Sequence, residues 1–267
     1  MSEITIGTRG ATEVHPTAIV HPDAMLGEGV TVGPWALIGP RAYVGDGTEI
    51  GPRALVERDT RIGEDCRIAN GAVLGSDPQD LKFKGEQTTL QIGDRTVVRE
   101  YATLNRGTSA SGRTVVGSDC LLMAYTHVAH DCEIGNHVVL ANAVNMAGHV
   151  LIEDWAIVGG LTPIHQFVRI GAHAFIGGGS RIPQDIPPYC RAAGNPPRLY
   201  GLNSVGLERR GFSEDVRKAL KQAYRILFQS NETLSKALDR VEEEVAGLPQ
   251  VLHLVEFVRR SERGVTV

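Results

Sequence analysis

Counted in sixes, the chain carries an aliphatic residue at every step: Val14, Val20, Leu26, Val32, Ile38, Val44, Ile50, Val56, Ile62, Ile68 and Leu74, then Ile92, Val98 and Leu104, then an unbroken run from Val116 to Ile182. Two residues before each aliphatic stands a small one (Ala, Val, Thr, Ser or Cys), Leu90 being the exception. Residues two apart on a strand face the same side, so both positions point inward. Glycine follows the aliphatic in half of the 26 hexads, which predicts a corner of unusual backbone angles at that position. So short a strand cannot bury its own apolar side. Three such units close a triangular coil, and coils stack through sheet hydrogen bonds about 4.8 Å apart. At three hexads per coil the 26 hexads make roughly nine coils. The period does not supply the hand of the coil, since the usual crossover rule favours the right-handed sense.

The repeat lapses at about residues 78–89 and 108–113, read as loops, and ends near Pro187-Pro188. Beyond GNPPRLYGLN, read as a further loop, the pattern turns helical. Ser213 is an N-cap candidate with Glu214 and Asp215 in the first turn. Val216, Leu220, Ala223, Ile226 and Leu227 then recur at helical spacing, and further helical runs follow around 232–246 and 250–260. The expected organisation is an all-β main domain over residues 1–196 and a small α-helical C-terminal domain over 197–267.

Composition narrows the class. Hydrophobic residues make up 42% but aromatics only 5%, so the core must be built from small and β-branched side chains. A net charge of −4 speaks against wholesale nucleic-acid binding. Cys66, Cys120, Cys132 and Cys190 show no paired spacing, and three of them occupy the small inward position, so they read as reduced packing residues. No apolar run reaches the length of a membrane span and no signal segment is evident. The expectation is a cytoplasmic protein without an integral membrane segment.

Every third hexad lies on one face. The hexads around Leu74, Leu104, Val128, Met146, Ile164 and Ile182 form one column, and both loops leave from its edge. Three of these hexads, THVAHD (126–131), VNMAGH (144–149) and TPIHQF (162–167), carry His127, His130, His149 and His165, none at an inward position. His137 and His173 fall on another column and, with His15, His21 and His253, read as structural. A convex edge cannot enclose a substrate, so a neighbouring subunit must supply the other wall. Apolar residues at the outward position (Leu121, Val139, Leu151, Ile157, Phe175) point to such a subunit contact and a closed cyclic assembly. Two chemistries fit the histidines. His127, His130 and His149 have the makings of a zinc site with three nitrogens and a water. Alternatively one imidazole serves as a general base, with Asp131 beside His130 to orient it.

The segment LLMAYTHVAHDCEIGN (121–136) resembles the one that carries the catalytic histidine in the UDP-N-acetylglucosamine O-acyltransferase family of hexapeptide-repeat transferases. HPTAIVHPDA (15–24), PQDLKFKGE (78–86), REYATLNRGT (99–108), MAGHV (146–150), IHQFVRIGAH (164–173), QDIPPY (184–189) and ERRGFS (208–213) agree with it in order, so the resemblance spans nearly the whole chain. It implies a left-handed parallel β-helix and a homotrimer. The reaction it implies is transfer of a 3-hydroxyacyl group from acyl carrier protein to the 3-hydroxyl of UDP-N-acetylglucosamine, the first step of lipid A biosynthesis, without metal or other cofactor. By matching position, His130 is the general base, Asp131 its orienter and Gly148 the backbone donor to the oxyanion. Asp80, Lys82, His127, His149, His165 and Gln166 line the sugar-nucleotide and acyl site, and Asn203, Arg209 and Arg210 the uridine-diphosphate end. Gly178 and Phe175 set acyl-chain length. Two positions depart from the family: Val205 stands where a Glu is common near the uridine contacts, and Pro196 where some relatives have His. The carrier protein is acidic, and Arg191, Arg198, Arg217, Lys218, Lys221 and Arg225 are candidate docking charges. The alternative reading is a hexapeptide β-helix zinc enzyme of the carbonic anhydrase type.

Overall fold

The computed structural model describes residues 10–245 and 247–267. Residues 1–9, most of the stretch read as lacking a signal segment, and Ala246, the end of the helical run expected around 232–246, lie outside the described residues. The chain forms two compact units, Met1–Asp131 and Cys132–Val267.

The first unit is made of very short strands in three parallel sheets. One sheet runs Glu13–Val14, Thr31–Val32, Glu49–Ile50, Arg67–Ile68, Val97–Val98 and Leu121–Leu122. A second runs Ile19–Val20, Leu37–Ile38, Leu55–Val56, Val73–Ser76, Thr103–Asn105 and His127–Val128. The third runs Met25–Leu26, Tyr43–Val44, Thr60–Ile62, Thr89–Ile92 and Arg113–Val116. Consecutive strands therefore belong to different sheets and each hexad pairs with the third one after it, as the period demands. Leu74 is in register with Leu104, and Leu104 with Val128, which is the histidine column as far as this unit carries it. The inward aliphatics Ile38, Val44, Val56, Ile62, Leu74, Leu104 and Val128 are buried, with Ala36, Ala42, Ala54, Cys66 and Ala72 filling the narrower space between them.

The corners correct one expectation. Glycines directly after the aliphatic, such as Gly33, Gly39 and Gly51, are not in the left-handed region, Gly75 at φ 83° being an exception. They are needed for space: a Cβ on Gly39 would lie 2.8 Å from the Arg58 nitrogen of the next coil, and one on Gly33 2.9 Å from that of Pro52. The left-handed residue falls two positions later and is seldom glycine; Trp35, Arg41, Arg53, Asp59, Tyr101, Tyr125 and Asp131 all have φ between 56° and 62°. Side chains at these corners meet their counterparts one coil on. Tyr101 stacks on Tyr125 with centroids 5.5 Å apart, and Arg41 forms two 2.8 Å hydrogen bonds to Asp59.

The second unit opens with the same construction: Glu133–Ile134, Leu151–Ile152 and Arg169–Ile170 in one sheet, Val139–Leu140, Ile157–Val158 and Phe175–Ile176 in another, and Asn145–Met146 with Pro163–Ile164 in a third. The stretch read as the loop GNPPRLYGLN is instead part of a β-hairpin. Cys190–Gly194 adds to Phe175–Ile176, and Pro197–Leu202 folds back antiparallel on it. Four helices follow: α1 (Ser204–Arg209), α2 (Glu214–Gln229), α3 (Leu234–Glu244) and α4 (Pro249–Arg259). Ser213 caps α2, its hydroxyl accepting from Val216 N, as its sequence signature predicts. Leu220, Ala223, Ile226 and Leu227 pack with Leu207, Leu238, Val241, Val251, Leu254 and Tyr189 into one core. The Tyr189 hydroxyl meets Nδ1 of His253 at 2.9 Å, and the other ring nitrogen lies 3.0 Å from Glu153, so α4 is tied by polar bonds to the coils beneath it. All four cysteines are buried thiols, none of them in a disulfide. Burial pushes the Cys66 and Cys190 thiols up, away from the reactive thiolate.

Candidate active site

At the end of the first unit the strand His127–Val128 and the corner after it bring His127, His130 and Asp131 together. The Asp131 side chain is wholly shielded from solvent. Its carboxylate accepts from Thr108 N at 2.9 Å, from the Thr108 hydroxyl at 2.7 Å, from Ser111 N at 3.3 Å and from the Ser111 hydroxyl. His130 Nδ1 lies 2.8 Å from the same carboxylate. Burial alone would raise the carboxyl, but the Ser111, Thr108 and His130 hydrogen bonds outweigh it and hold the group at about 2. The left-handed φ of 59° at Asp131 turns its backbone N–H onto the Thr114 hydroxyl at 2.9 Å. His127 is fixed in a similar way, Nδ1 lying 2.7 Å from the Thr103 hydroxyl, and burial, then the neighbouring His130, lower its pKa. The carboxylate thus has five donors, and Nδ1 of both His127 and His130 is engaged.

The loop of residues 77–88 supplies Asp80 and Lys82. Asp80 closes its own turn, accepting Lys82 N on Oδ1 at 2.9 Å and Phe83 N on its carbonyl at 3.0 Å. Lys82 is exposed.

In the second unit Gly148 is buried and its carbonyl accepts from Phe167 N at 3.2 Å, while its own N–H donates to no acceptor among the described residues. His149, at the corner, stacks on Phe167 with centroids 4.7 Å apart. His165 and Gln166 are exposed, His165 Nδ1 facing the Gln166 carbonyl at 3.2 Å.

Of the residues expected at the uridine-diphosphate end, Asn203 and Arg209 line one cavity, and Arg210 is not among its lining residues. Asn203 caps α1, accepting from Gly206 N at 3.2 Å, and donates to the His173 carbonyl at 3.0 Å. Arg209 joins Asn203, Phe175, Arg191, Lys221 and Arg225 around a cavity of about 620 Å³. Arg210 lies over the Trp155 ring at 5.2 Å, with Nη1 3.4 Å from His173 Nδ1. His173, read as structural, is stacked between Trp155 and Tyr189, and burial together with the Arg210 charge holds it neutral, with a pKa of about 4. Gly178 is exposed; its φ is ordinary, the left-handed corner being Gly179. The Asp131 donors Thr108 and Ser111 had no signal in the hexad pattern, because they sit in one of its two gaps.

Stacked hexapeptide coils with a carboxylate-oriented imidazole at a corner define a hexapeptide-repeat transferase, and residues 41–76 and 113–148 match the family described as bacterial transferase hexapeptide (six repeats). Residues 185–266 match the second domain of UDP N-acetylglucosamine O-acyltransferase. The chain is 53% identical over 259 residues, 95% of this chain and 99% of the relative, to the acyl-[acyl-carrier-protein]--UDP-N-acetylglucosamine O-acyltransferase of Burkholderia lata. Among solved structures it is similar to LpxA of Acinetobacter baumannii (TM-score 0.93, 41% identity, 95% of this chain and 99% of that one). It is also similar to the UDP-N-acetylglucosamine acyltransferase of Arabidopsis (0.77, 35%, 95% and 100%). The chain belongs to the UDP-N-acetylglucosamine O-acyltransferase family and is an acyltransferase. Its fold is the left-handed parallel β-helix with a small helical C-terminal part. No helix among the described residues is long and apolar enough to cross a membrane.

Proposed function

We propose that the chain transfers a 3-hydroxyacyl group from acyl carrier protein to the 3-hydroxyl of UDP-N-acetylglucosamine, the first step of lipid A biosynthesis, with His130 as general base. The observation that carries this reading is the Asp131 carboxylate, held ionised by four donors from Thr108 and Ser111 and paired with His130 Nδ1 at 2.8 Å. A carboxylate on Nδ1 keeps the proton there and leaves Nε2 to accept one. Nε2 takes the proton of the sugar hydroxyl as that oxygen attacks the thioester carbonyl. The tetrahedral intermediate then collapses with cleavage of the C–S bond, and the imidazolium gives its proton to the departing carrier-protein thiolate, which leaves as the thiol. Gly148 follows His130 by three hexads of the repeat, and its N–H is the donor assigned to the oxyanion, an interaction typically worth ~3–4 kcal/mol. Asp80, Lys82, His127, His149, His165 and Gln166 are assigned to the sugar and acyl portions, Asn203, Arg209 and Arg210 to the uridine diphosphate, and Gly178 with Phe175 to the end of the acyl tail. The working form is a cytoplasmic homotrimer, its β-helix domain ending near residue 196 and its helical domain following.

His130→Ala is expected to lower kcat by at least ~10²-fold in a folded protein, the usual range for a positioned acid–base group. Near-normal turnover overturns the assignment. The zinc reading is tested by chelation: activity is expected to persist, and loss with recovery on adding zinc supports the carbonic anhydrase type instead.

A further inference from the structure

We infer that Arg106 is a positioning residue for the sugar-nucleotide end of the reaction, clamping the loop of residues 77–88 to the strand end that also grips Asp131. The inference rests on the assignment of Asp80 and Lys82 to the sugar nucleotide. Arg106 is only 1% exposed, an environment in which a guanidinium is costly unless its fork is used. Nη1 donates to the Gly75 carbonyl at 2.8 Å and Nη2 to the Asp77 carboxylate, so the fork holds the point where the loop departs. The backbone reinforces it: Arg106 N donates to the Ser76 carbonyl at 3.1 Å, and Asn105 Nδ2 to the Asp77 carbonyl at 3.0 Å.

The same guanidinium reaches the far side of the loop. Its carbon lies 5.7 Å from the centre of the Phe83 ring, and Phe83 N closes the Asp80 turn. The turn bearing Asp80 and Lys82 is thus held at its root and at Phe83 by one side chain. Two residues along, Thr108 holds the Asp131 carboxylate through its N–H and its hydroxyl. One strand end therefore sets the position of both the loop and the acid–base pair. A lysine ammonium, a point charge without a planar fork, cannot make the paired contacts and lie against the ring together.

The test uses the full-length enzyme carrying Arg106→Met, Arg106→Lys and Asp77→Asn. Asp77 is itself largely exposed and Asn keeps an acceptor oxygen for Nη2, so this variant removes the counter-charge of the buried Arg106 while retaining the hydrogen bond, and it carries the test if Arg106→Met fails to fold. Native-state trypsin cleavage after the exposed Lys82 and Lys84 reads the loop without any substrate. It is expected to accelerate at least ~10-fold in Arg106→Met, with Arg106→Lys and Asp77→Asn intermediate. KM for UDP-N-acetylglucosamine is expected to rise at least ~10-fold, KM for the acyl donor to change less than ~2-fold, and kcat to fall less than KM rises. Unchanged cleavage in folded variants overturns the clamp. Faster cleavage with an unchanged sugar-nucleotide KM, or an equal rise in both KM values, overturns its role in the reaction. Failure of the transferase reading itself shows separately, as wild-type enzyme that does not acylate UDP-N-acetylglucosamine.

Discussion

A carboxylate withdrawn from water resists ionisation, yet Asp131 keeps its charge because burial is outweighed by the hydrogen bonds from Ser111, Thr108 and His130. A folded value of about 2, below the ordinary 3.8, means the unfolded chain binds the proton more readily. The stabilisation is therefore complete above the unfolded value and is lost as pH falls through the folded one. It amounts to about 2 kcal/mol, and Asp131→Asn should lack its pH dependence. Urea unfolding of both proteins between about pH 6 and pH 2 checks this. The stability difference should shrink on the acid side, and a flat difference contradicts the account. Gly178 is the second residue with a measurable consequence. A Cβ there lies 3.2 Å from the Gly160 carbonyl oxygen, so a larger side chain fits with a small local shift and projects outward. Gly178→Met should shift preference from fourteen- toward ten-carbon donors, since each methylene left unburied forfeits ~0.8 kcal/mol and overlap costs ~1–3 kcal/mol more. An unchanged ratio of kcat/KM in a folded variant removes Gly178 from chain-length control. Of this chemistry, the His130-Asp131 pair was legible because the two residues are adjacent within one hexad. Thr108 and Ser111 stand 23 and 20 residues from the carboxylate they hold, and Arg106 is 29 from Asp77; only the coil brings such partners together.

At the scale of the element, the hexad encodes burial more plainly than it encodes backbone angle. The inward aliphatic and small positions form a volume pattern, and volume leaves a composition signature that can be counted. The left-handed corner leaves a weaker one: Asp59, Asp131 and His149 are of types enriched in that conformation, but Trp35, Arg53 and Tyr101 are not residues that favour it on their own. These three adopt it because the coils on either side hold them there. Two reciprocal substitutions separate space from angle. Gly39→Ala places a Cβ 2.8 Å from the Arg58 nitrogen and should destabilise by about 1–3 kcal/mol. Ala143→Gly, at a φ of 58°, relieves about 1 kcal/mol of left-handed strain, and the freer unfolded chain cancels most of it, so the net effect should be near zero. Chemical denaturation of the two variants decides the point, and equal destabilisation contradicts the spatial reading of the glycine. The C-terminal helices were legible because the Ser213 cap and the apolar stripe of α2 are local signals. The hairpin strand Pro197–Leu202 was not, since Pro196 before it and Pro197 at its start mask the pattern and its pairing with Cys190–Gly194 is tertiary.

For the whole molecule, the proposed trimer follows from surface the single chain leaves uncovered. Leu81 stands fully exposed between Asp80 and Lys82, and the outward Leu121 of the first unit, like Leu151, Ile157 and Phe175 of the second, remains partly open to solvent. Sedimentation at assay concentration should give three chains per particle, and a fully active monomer refutes the assembly. The buried cysteines carry a further consequence. Cys66, Cys120 and Cys132 lie at inward positions of three different hexads, and Cys190 lies where the last coil passes into the hairpin. None can be alkylated until its own stretch of coil opens. The chain therefore contains four internal clocks, and the order in which a thiol reagent labels them under native conditions reports which end of the stack frays first.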